Sequence, residues 1–423
     1  MKFCFGARSI VMFAALALAW ASTARAQEFD TKGELGVESR LFSSDDRGVT
    51  EDRALAAIGR CEASYHDGAW SARVRVFGRA DAYDGSRDLL VPEEAWLEYR
   101  QPRWHARVGV ELDNGSVLEI FHPADVFNSR NFDGEIENLE KLGEPAVSLG
   151  TVLGPVTVTA FYLPWRIEPH LPGPHSRLSG LPDGVGLGDA VWVSRNGRID
   201  SGSRADQFAL RAETRVGPAD LTFHYLHHQD RLQPLFAFDS ETLKVKPVFL
   251  PVDQLGATVQ AAVASWVLKL ELTHRDFTEP SPRETSLAGL RQPDHTTLAA
   301  GVEYGWSTPG GGQTSLVLEA ETIFGTTAAE RRALAVFQRD VGVAVRYAFN
   351  DVADRQVTAS AIFDLERSGE YLVSLTYRQR LAEVLSLRAG VRVIEAAVGG
   401  DDPVGLERFR NVDYLFASLV YNF

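Results

Sequence analysis

The sequence predicts an all-β protein: a transmembrane antiparallel up-and-down β-barrel of about eighteen strands, with sixteen as the alternative count. Three observations carry this reading. Apolar and polar residues alternate with period two along most of the chain. The connections fall into short and long classes that alternate. The chain also ends on an aromatic residue, Phe423, inside an alternating segment. One constraint explains all three: in lipid every backbone N–H and C=O must be paired within the protein, and a closed sheet does this without leaving an edge.

The first 26 residues read as a cleaved signal peptide. Lys2 and Arg8 give the leader its positive charge, Ile10 to Ala21 is almost wholly apolar, and Ala24-Arg25-Ala26 forms an A-x-A cleavage site. That apolar run is too short to span about 30 Å of hydrocarbon as a helix. Residues 27–423 then form a single barrel. Cys4 leaves with the leader, so Cys61 has no partner for an intramolecular disulfide. Taking the three basic residues of the leader from the 43 leaves 40 against 57 acidic residues, a net charge of −17. Such acidity argues against a nucleic-acid partner.

The alternation is explicit within single segments. Trp70, Ala72, Val74, Val76, Gly78 and Ala80 share one strand face, while Arg73, Arg75, Arg79 and Asp81 share the other. Trp266, Leu268, Leu270 and Leu272 alternate with Lys269, Glu271, Thr273 and Arg275; Val341, Val343, Val345 and Tyr347 alternate with Gly342, Ala344 and Arg346. Strands are expected to centre near residues 37, 60, 76, 97, 108, 149, 159, 211, 223, 258, 270, 301, 319, 344, 361, 375, 389 and 418.

Short turns are expected at His66–Ala69, Gln101–Arg103, Gly154-Pro155, Gly217-Pro218, Ala264-Ser265, Ser307–Gln313, Asn350–Asp354 and Leu381–Glu383. The intervening connections are longer, chiefly 113–145, a constriction or plug loop, and 164–204, a Pro- and Gly-rich extracellular loop; only Glu366–Glu370, and to a lesser degree Gly325–Ala333, are brief. Short turns on one rim and long loops on the other are the pattern of an outer-membrane barrel. Aromatic residues support it: Tyr65, Trp70, Tyr99, Trp104, Trp266, Tyr304, Trp306, Tyr347 and Phe349 flank short turns with outward parity, as an interfacial girdle requires.

If the apolar face meets lipid, the other face lines a lumen. Its basic candidates for selectivity are Arg73, Arg75, Arg79, Arg107, Arg211, Arg215, Arg346, Arg378, Arg388 and Arg392, with Lys269, Arg275 and Arg380 beside them. Its acids include Glu94, Glu98, Glu111, Glu213, Glu271, Glu303, Glu319 and Glu321. Two readings of the arginines stay open here: a ladder that passes an anion from step to step, or braces paired with lumen acids. The constriction candidates are Asp125, Asn128, Arg130, Asp133 and Glu135, in a segment whose Phe121, Val126, Phe127, Phe132 and Leu139 can pack it as a lid.

The run Phe121-His122-Pro123-Ala124-Asp125-Val126-Phe127-Asn128-Ser129-Arg130 resembles a segment of porin-like outer-membrane barrels near the alginate-export and substrate-specific porin families. Glu140-Lys141-Leu142-Gly143-Glu144-Pro145 and Phe161-Tyr162-Leu163-Pro164-Trp165 fit the same resemblance, which covers chiefly residues 103–172. It implies passage or export of a solute, with the third long connection as constriction loop. The terminal strand resembles the signal read by the outer-membrane assembly machinery, through Tyr421 and Phe423, although Ser418 stands where glycine is often found.

The expected function is therefore a porin-like channel or exporter for a small, anionic solute, in the outer membrane of a Gram-negative bacterium. Expected partners are outer-membrane lipid, the assembly machinery, and a periplasmic or inner-membrane transport partner. The alternatives are a non-conducting partner in envelope export or lipid trafficking, and an outer-membrane hydrolase using Ser194 or His295. No cofactor, metal site or catalytic residue is expected: His170 and His175 lack a third ligand, and His224, His227 and His228 straddle both strand faces.

Overall fold

The computed structural model describes residues 28–45, 48–397 and 403–423; the leader predicted over residues 1–26 lies outside them. Eighteen strands form the wall. They are β1 (Glu28–Phe42), β2 (Arg53–Asp67), β3 (Trp70–Asp81), β4 (Leu89–Arg100), β5 (Trp104–Glu111) and β6 (Glu144–Leu153). Next come β7 (Val156–Trp165), β8 (Arg204–Val216), β9 (Ala219–Gln229), β10 (Pro251–Val263), β11 (Trp266–Phe277) and β12 (His295–Ser307). The last are β13 (Gln313–Phe324), β14 (Arg339–Ala348), β15 (Gln356–Asp364), β16 (Tyr371–Ala382), β17 (Leu385–Glu395) and β18 (Tyr414–Asn422). All the predicted strand centres fall inside these ranges.

Each strand pairs antiparallel with its sequence neighbour, and β18 returns to β1 from Phe42↔Tyr414 to Glu34↔Asn422, closing the barrel. Closure leaves the sheet without a free edge over that span, which is what allows the wall to face lipid. The hairpins at one rim are tight: Gly68, Gly154 and Gly217 hold φ near +60° in two-residue turns, a region that costs glycine nothing. The connections at the other rim, long except for L2 and L8, are numbered L1 (43–52), L2 (82–88), L3 (112–143), L4 (166–203), L5 (230–250), L6 (278–294), L7 (325–338), L8 (365–370) and L9 (396–413).

The outer wall carries exposed apolar residues in alternation, such as Leu268, Leu270 and Leu272 on β11. At the short-turn rim the aromatic residues meet in pairs: Trp70 and Tyr99 at 4.7 Å, Tyr99 and Trp104 at 5.5 Å, Trp266 and Tyr304 at 4.5 Å, Tyr347 and Phe349 at 4.8 Å. Tyr421 and Phe423 join the ring at 6.2 Å. Phe423 also lies over Gly33, where an added Cβ would come within 2.1 Å of the ring, and the two backbones exchange hydrogen bonds of 2.8 and 2.9 Å.

Three clusters of buried apolar residues line the inside of the barrel, and a fourth joins L4, L5 and L6. Leu118, Ile120 and Phe121 of L3 pack on Ala299, Val317 and Ile362 of the wall, while Val126 and Phe127 pack on Phe161, Ala209 and Leu226 on the facing side. Leu178 of L4 joins Leu372, Ile394, Leu406 and Tyr414. L4 therefore departs from the expectation of a surface loop over 164–204. Pro164 and Trp165 end β7, and Arg204 begins β8. Within L4, Ser176, Arg177, Leu178 and Ser179 are buried in the mouth. Arg177 draws this part inward, reaching Asp45 at 3.3 Å and backbone carbonyls of Ser43 and Asn411. The outer part of L4 joins L5 in a small sheet, with Val191 and Trp192 beside Val248 and Phe249.

Candidate channel constriction

L3 leaves β5, crosses the lumen and returns to β6. Asn128 ties its two ends together: it is fully buried, donates to the carbonyls of Glu111 (2.8 Å) and Leu142 (3.1 Å), and accepts from the Asp113 amide (2.7 Å). On the far wall two carboxylates receive the loop backbone. Glu271 of β11 accepts at Oε1 from Ser116 Oγ (2.6 Å) and the amides of Val117 (2.6 Å) and Leu118 (3.1 Å), and at Oε2 from the Ala124 amide (3.0 Å). Glu319 of β13 accepts from the amides of Glu119 (2.8 Å), Ile120 (2.9 Å) and Phe121 (3.2 Å). Charged acceptors make the stronger class of hydrogen bond, and the two carboxylates together receive seven bonds from residues 116–124. Gly342 leaves room for this stretch, since a Cβ there would stand 2.8 Å from Ile120.

Ion pairs fix the rest of L3. Arg211 pairs with Asp113 (2.7 Å), Lys269 with Glu119 (2.9 Å), Arg87 with Asp133 (3.0 Å), Arg388 with Glu135 (3.0 Å), and Arg392 with Glu137. Asp125 lies between Arg130 (3.0 Å) and Lys141 (2.7 Å). Burial alone would raise the Asp125 carboxyl, but those two cations hold it below the ordinary range. Burial pushes His122 down, so the imidazole that meets Ser116 Oγ at 3.0 Å is neutral at pH 7. Burial likewise raises Glu137, whereas Arg388 and Arg392 outweigh it at Glu135 and lower that carboxyl.

Four of the five constriction candidates, Asp125, Asn128, Arg130 and Asp133, are buried and brace the loop from within instead of lining an aperture. Glu135 instead bridges to the wall. Eight of the ten lumen arginines fall into three groups, with Arg79 and Arg346 outside them. Arg73 and Arg75 sit in a lattice with Arg60: Arg75 reaches Glu93 (3.0 Å) and Glu94 (3.1 Å), Arg73 reaches Glu94 (3.5 Å) and Glu62 (3.7 Å), and Arg60 reaches Glu93 (2.9 Å) and Glu34 (3.1 Å). A bulge between Arg75 and Val76 brings Glu93 and Glu94, neighbours in sequence, to the same lattice. These contacts are those of the bracing alternative. Arg79 stands apart, buried, donating to the Arg87 carbonyl at 3.0 Å. Arg107 is likewise braced, with Glu98 at 2.7 Å and the Trp96 ring at 4.2 Å.

Arg211, Arg388 and Arg392 form the second group, the anchors of L3 just described. Arg215 and Arg378 form the third, pairing at the short-turn rim with Asp220 (3.6 Å) and Asp354. Arg346 alone of the ten is exposed with no ion pair among the described residues. Sequence reasoning put Glu271 and Glu319 in the lumen without assigning them to L3. Their partners are backbone amides, which leave no signature in sequence.

The hydrolase residues hold local structure. Ser194 Oγ lies within donating distance of Asn196 Oδ1 (2.7 Å) and of the Arg198 carbonyl (2.9 Å), and its single proton serves one of them at a time; His295, 2 % exposed, bonds the Pro293 carbonyl (2.9 Å). Among the described residues no three His, Cys, Asp or Glu side chains close around a point.

No protein-family model and no curated protein matches the sequence. Solved structures do resemble it in shape. Pseudomonas aeruginosa OpdQ aligns with TM-score 0.50 and 12 % identity over 95 % of this chain and 99 % of that one. P. aeruginosa OccK11 (OpdR) gives 0.50 and 12 % over 94 % and 96 %, and P. aeruginosa OccK3 (OpdO) gives 0.50 and 11 % over 93 % and 96 %. These are outer-membrane porin structures, and the closed eighteen-strand barrel described above has the porin-like outer-membrane fold.

Proposed function

We propose that this protein is an outer-membrane channel for a small anionic solute, its lumen narrowed by L3. The observation that carries the reading is the seven-bond seat of L3 on Glu271 and Glu319, opposite the strands that supply the loop. A segment held so firmly across a charged lumen limits what passes and can be tuned by single side chains. The exposed guanidinium of Arg346, with no ion pair among the described residues, supports an anion as the solute. The leader is removed after Ala26, and the assembly machinery reads Tyr421 and Phe423.

A second reading, a non-conducting envelope partner, draws on the mouth. There Leu178 of L4, Phe337 of L7 and Leu406 of L9 pack together. Planar-bilayer recording of the purified chain separates the two. The channel reading expects discrete conductance with anion-selective reversal potentials, enlarged by deleting residues 128–138. Silence in both proteins would refute it and favour the partner reading.

A further inference from the structure

Across β11 to β15 the lumen face carries a line of acids. Glu271 stands opposite Ala299, Ala299 opposite Glu321, Glu321 opposite Asp340, and Asp340 opposite Asp364. Directly opposed side chains on antiparallel strands have Cβ atoms about 5 Å apart, and like charges so placed are destabilising. The two ends of the line are satisfied. L3 supplies four donors to Glu271, while Asp364 accepts from the Glu366 and Arg367 amides (2.7 and 2.9 Å) and from Gln338 Nε2 (2.7 Å).

The middle is not satisfied. Asp340 is 0 % exposed; its Oδ2 takes the Gln338 and Arg339 amides, and its Oδ1 takes nothing. Gln338 is also 0 % exposed. Its Nε2 is held on Asp364, which sets the amide head in the line, and its Oε1 has no donor. Glu321, half-buried, makes no hydrogen bond or ion pair among the described residues. An oxygen buried without a partner is costly, and native structures leave few of them. Here two buried acceptors, Asp340 Oδ1 and Gln338 Oε1, are orphaned beside the unpaired Glu321 carboxylate, with no basic side chain paired to either acid among the described residues.

Acceptors without donors call for a cation. All three are oxygens, which selects a hard ion, and Ca²⁺ combines carboxylate and amide oxygens with water in a flexible shell. We propose that Glu321, Asp340 and Gln338 form a binding site for a hard divalent cation of the Ca²⁺ type on the lumen wall at the start of β14. The set is two carboxylates and an amide oxygen, with Glu321 at the lumen side as the entry. A cation there removes the repulsion in the line of acids whose end anchors L3, so it steadies the loop. The site stands whether or not the barrel conducts.

Calorimetric titration of CaCl₂ into the full detergent-solubilised chain tests this. The expected result is one saturable site, weakened at least tenfold by Glu321→Gln and by Asp340→Asn, and several-fold by Gln338→Ala. Carbodiimide labelling read by mass spectrometry gives a second measurement on the unmodified chain. Ca²⁺ protects Glu321 from modification, whereas NaCl of equal ionic strength does not. Absence of saturable binding overturns the proposal, as does binding that persists unchanged in Glu321→Gln, or Glu321 labelling indifferent to Ca²⁺.

Discussion

The seat of L3 gives the sharpest prediction. Changing Glu271 and Glu319 to Gln keeps size and shape but leaves each side chain one acceptor oxygen and a pair of N–H donors. With its remaining oxygen at Oε1, the side chain of the Glu271→Gln variant would keep Ser116, Val117 and Leu118 and present an N–H group to the Ala124 amide. Glu319→Gln similarly sets a donor against the amide of Glu119, or against those of Ile120 and Phe121. A hydrogen bond to a charged group contributes about 1.5–3 kcal/mol, and a buried donor left unpaired costs about 1–3 kcal/mol. Each substitution therefore weakens the seat by about 2–3 kcal/mol, and the pair by about 4–6 kcal/mol if they act independently. Because both hold one loop, the pair will fall short of additivity. Even about 3 kcal/mol changes the ratio of seated to released loop by more than a hundredfold.

Two assays read that change: single-channel open probability or conductance in planar bilayers, and tryptic cleavage after Arg130 or Lys141 in the folded barrel. Both should rise in the double variant. Glu303→Gln is the control, because Glu303 holds Ser315 (2.9 Å) and Lys269 (3.5 Å) instead of the L3 backbone. If the double variant matches Glu303→Gln in both assays, the carboxylates do not hold the loop and the reasoning fails.

Acidification should loosen L3 in two stages. Burial lowers the His122 pKa below its unfolded value of about 6.5, so the stability it contributes is complete above that pH and is lost as pH falls from there through the folded value. Asp125, depressed by Arg130 and Lys141 against the pull of burial, contributes above about pH 3.9 and loses its contribution as pH falls through the folded value. Glu137, raised by burial, runs the other way and offsets part of the loss. Hydrogen exchange of residues 115–130 between pH 8 and pH 3 should show protection falling in that order, and protection constant over the range would contradict it. In the lattice of β1 to β4, Arg75→Glu removes the cation that bridges Glu93 and Glu94 and adds a fifth acid to Glu34, Glu62, Glu93 and Glu94. Reversal potential should move towards cations, and an unchanged potential means that this wall does not meet the permeating ion.

The strands were legible because the lipid imposes their pattern residue by residue. Leu268, Leu270 and Leu272 must face out, so Lys269 and Glu271 must face in, and no distant contact can overrule that order. The aromatic girdle was legible for the same reason. The lumen was legible only as a list of residues. That Arg388 meets Glu135, 253 residues away in sequence, depends on how far a loop reaches across the barrel, and no local period records it. L4 shows the limit: its Pro and Gly content marks irregular backbone equally well outside or inside the mouth. The inward turn follows from Arg177 and Leu178, whose partners lie on L1, L9, β16 and β17.

The same physics explains why an acidic protein places so many acids inside its wall. A loop laid across a lumen brings backbone amides into the interior with no ladder to receive them, and each needs an acceptor. Carboxylates on the wall, aimed inward by strand parity, receive several amides at once, as Glu271 and Glu319 do. The cost is mutual repulsion when neighbouring strands bear acids in the same row, as Glu321, Asp340 and Asp364 do. Arginines relieve such repulsion on β2 to β4, where Arg60, Arg73 and Arg75 interleave with the glutamates. On β13 to β15 no arginine performs that role among the described residues. This difference between two walls of one barrel makes the acidic row the place where an ion from solution should enter the structure.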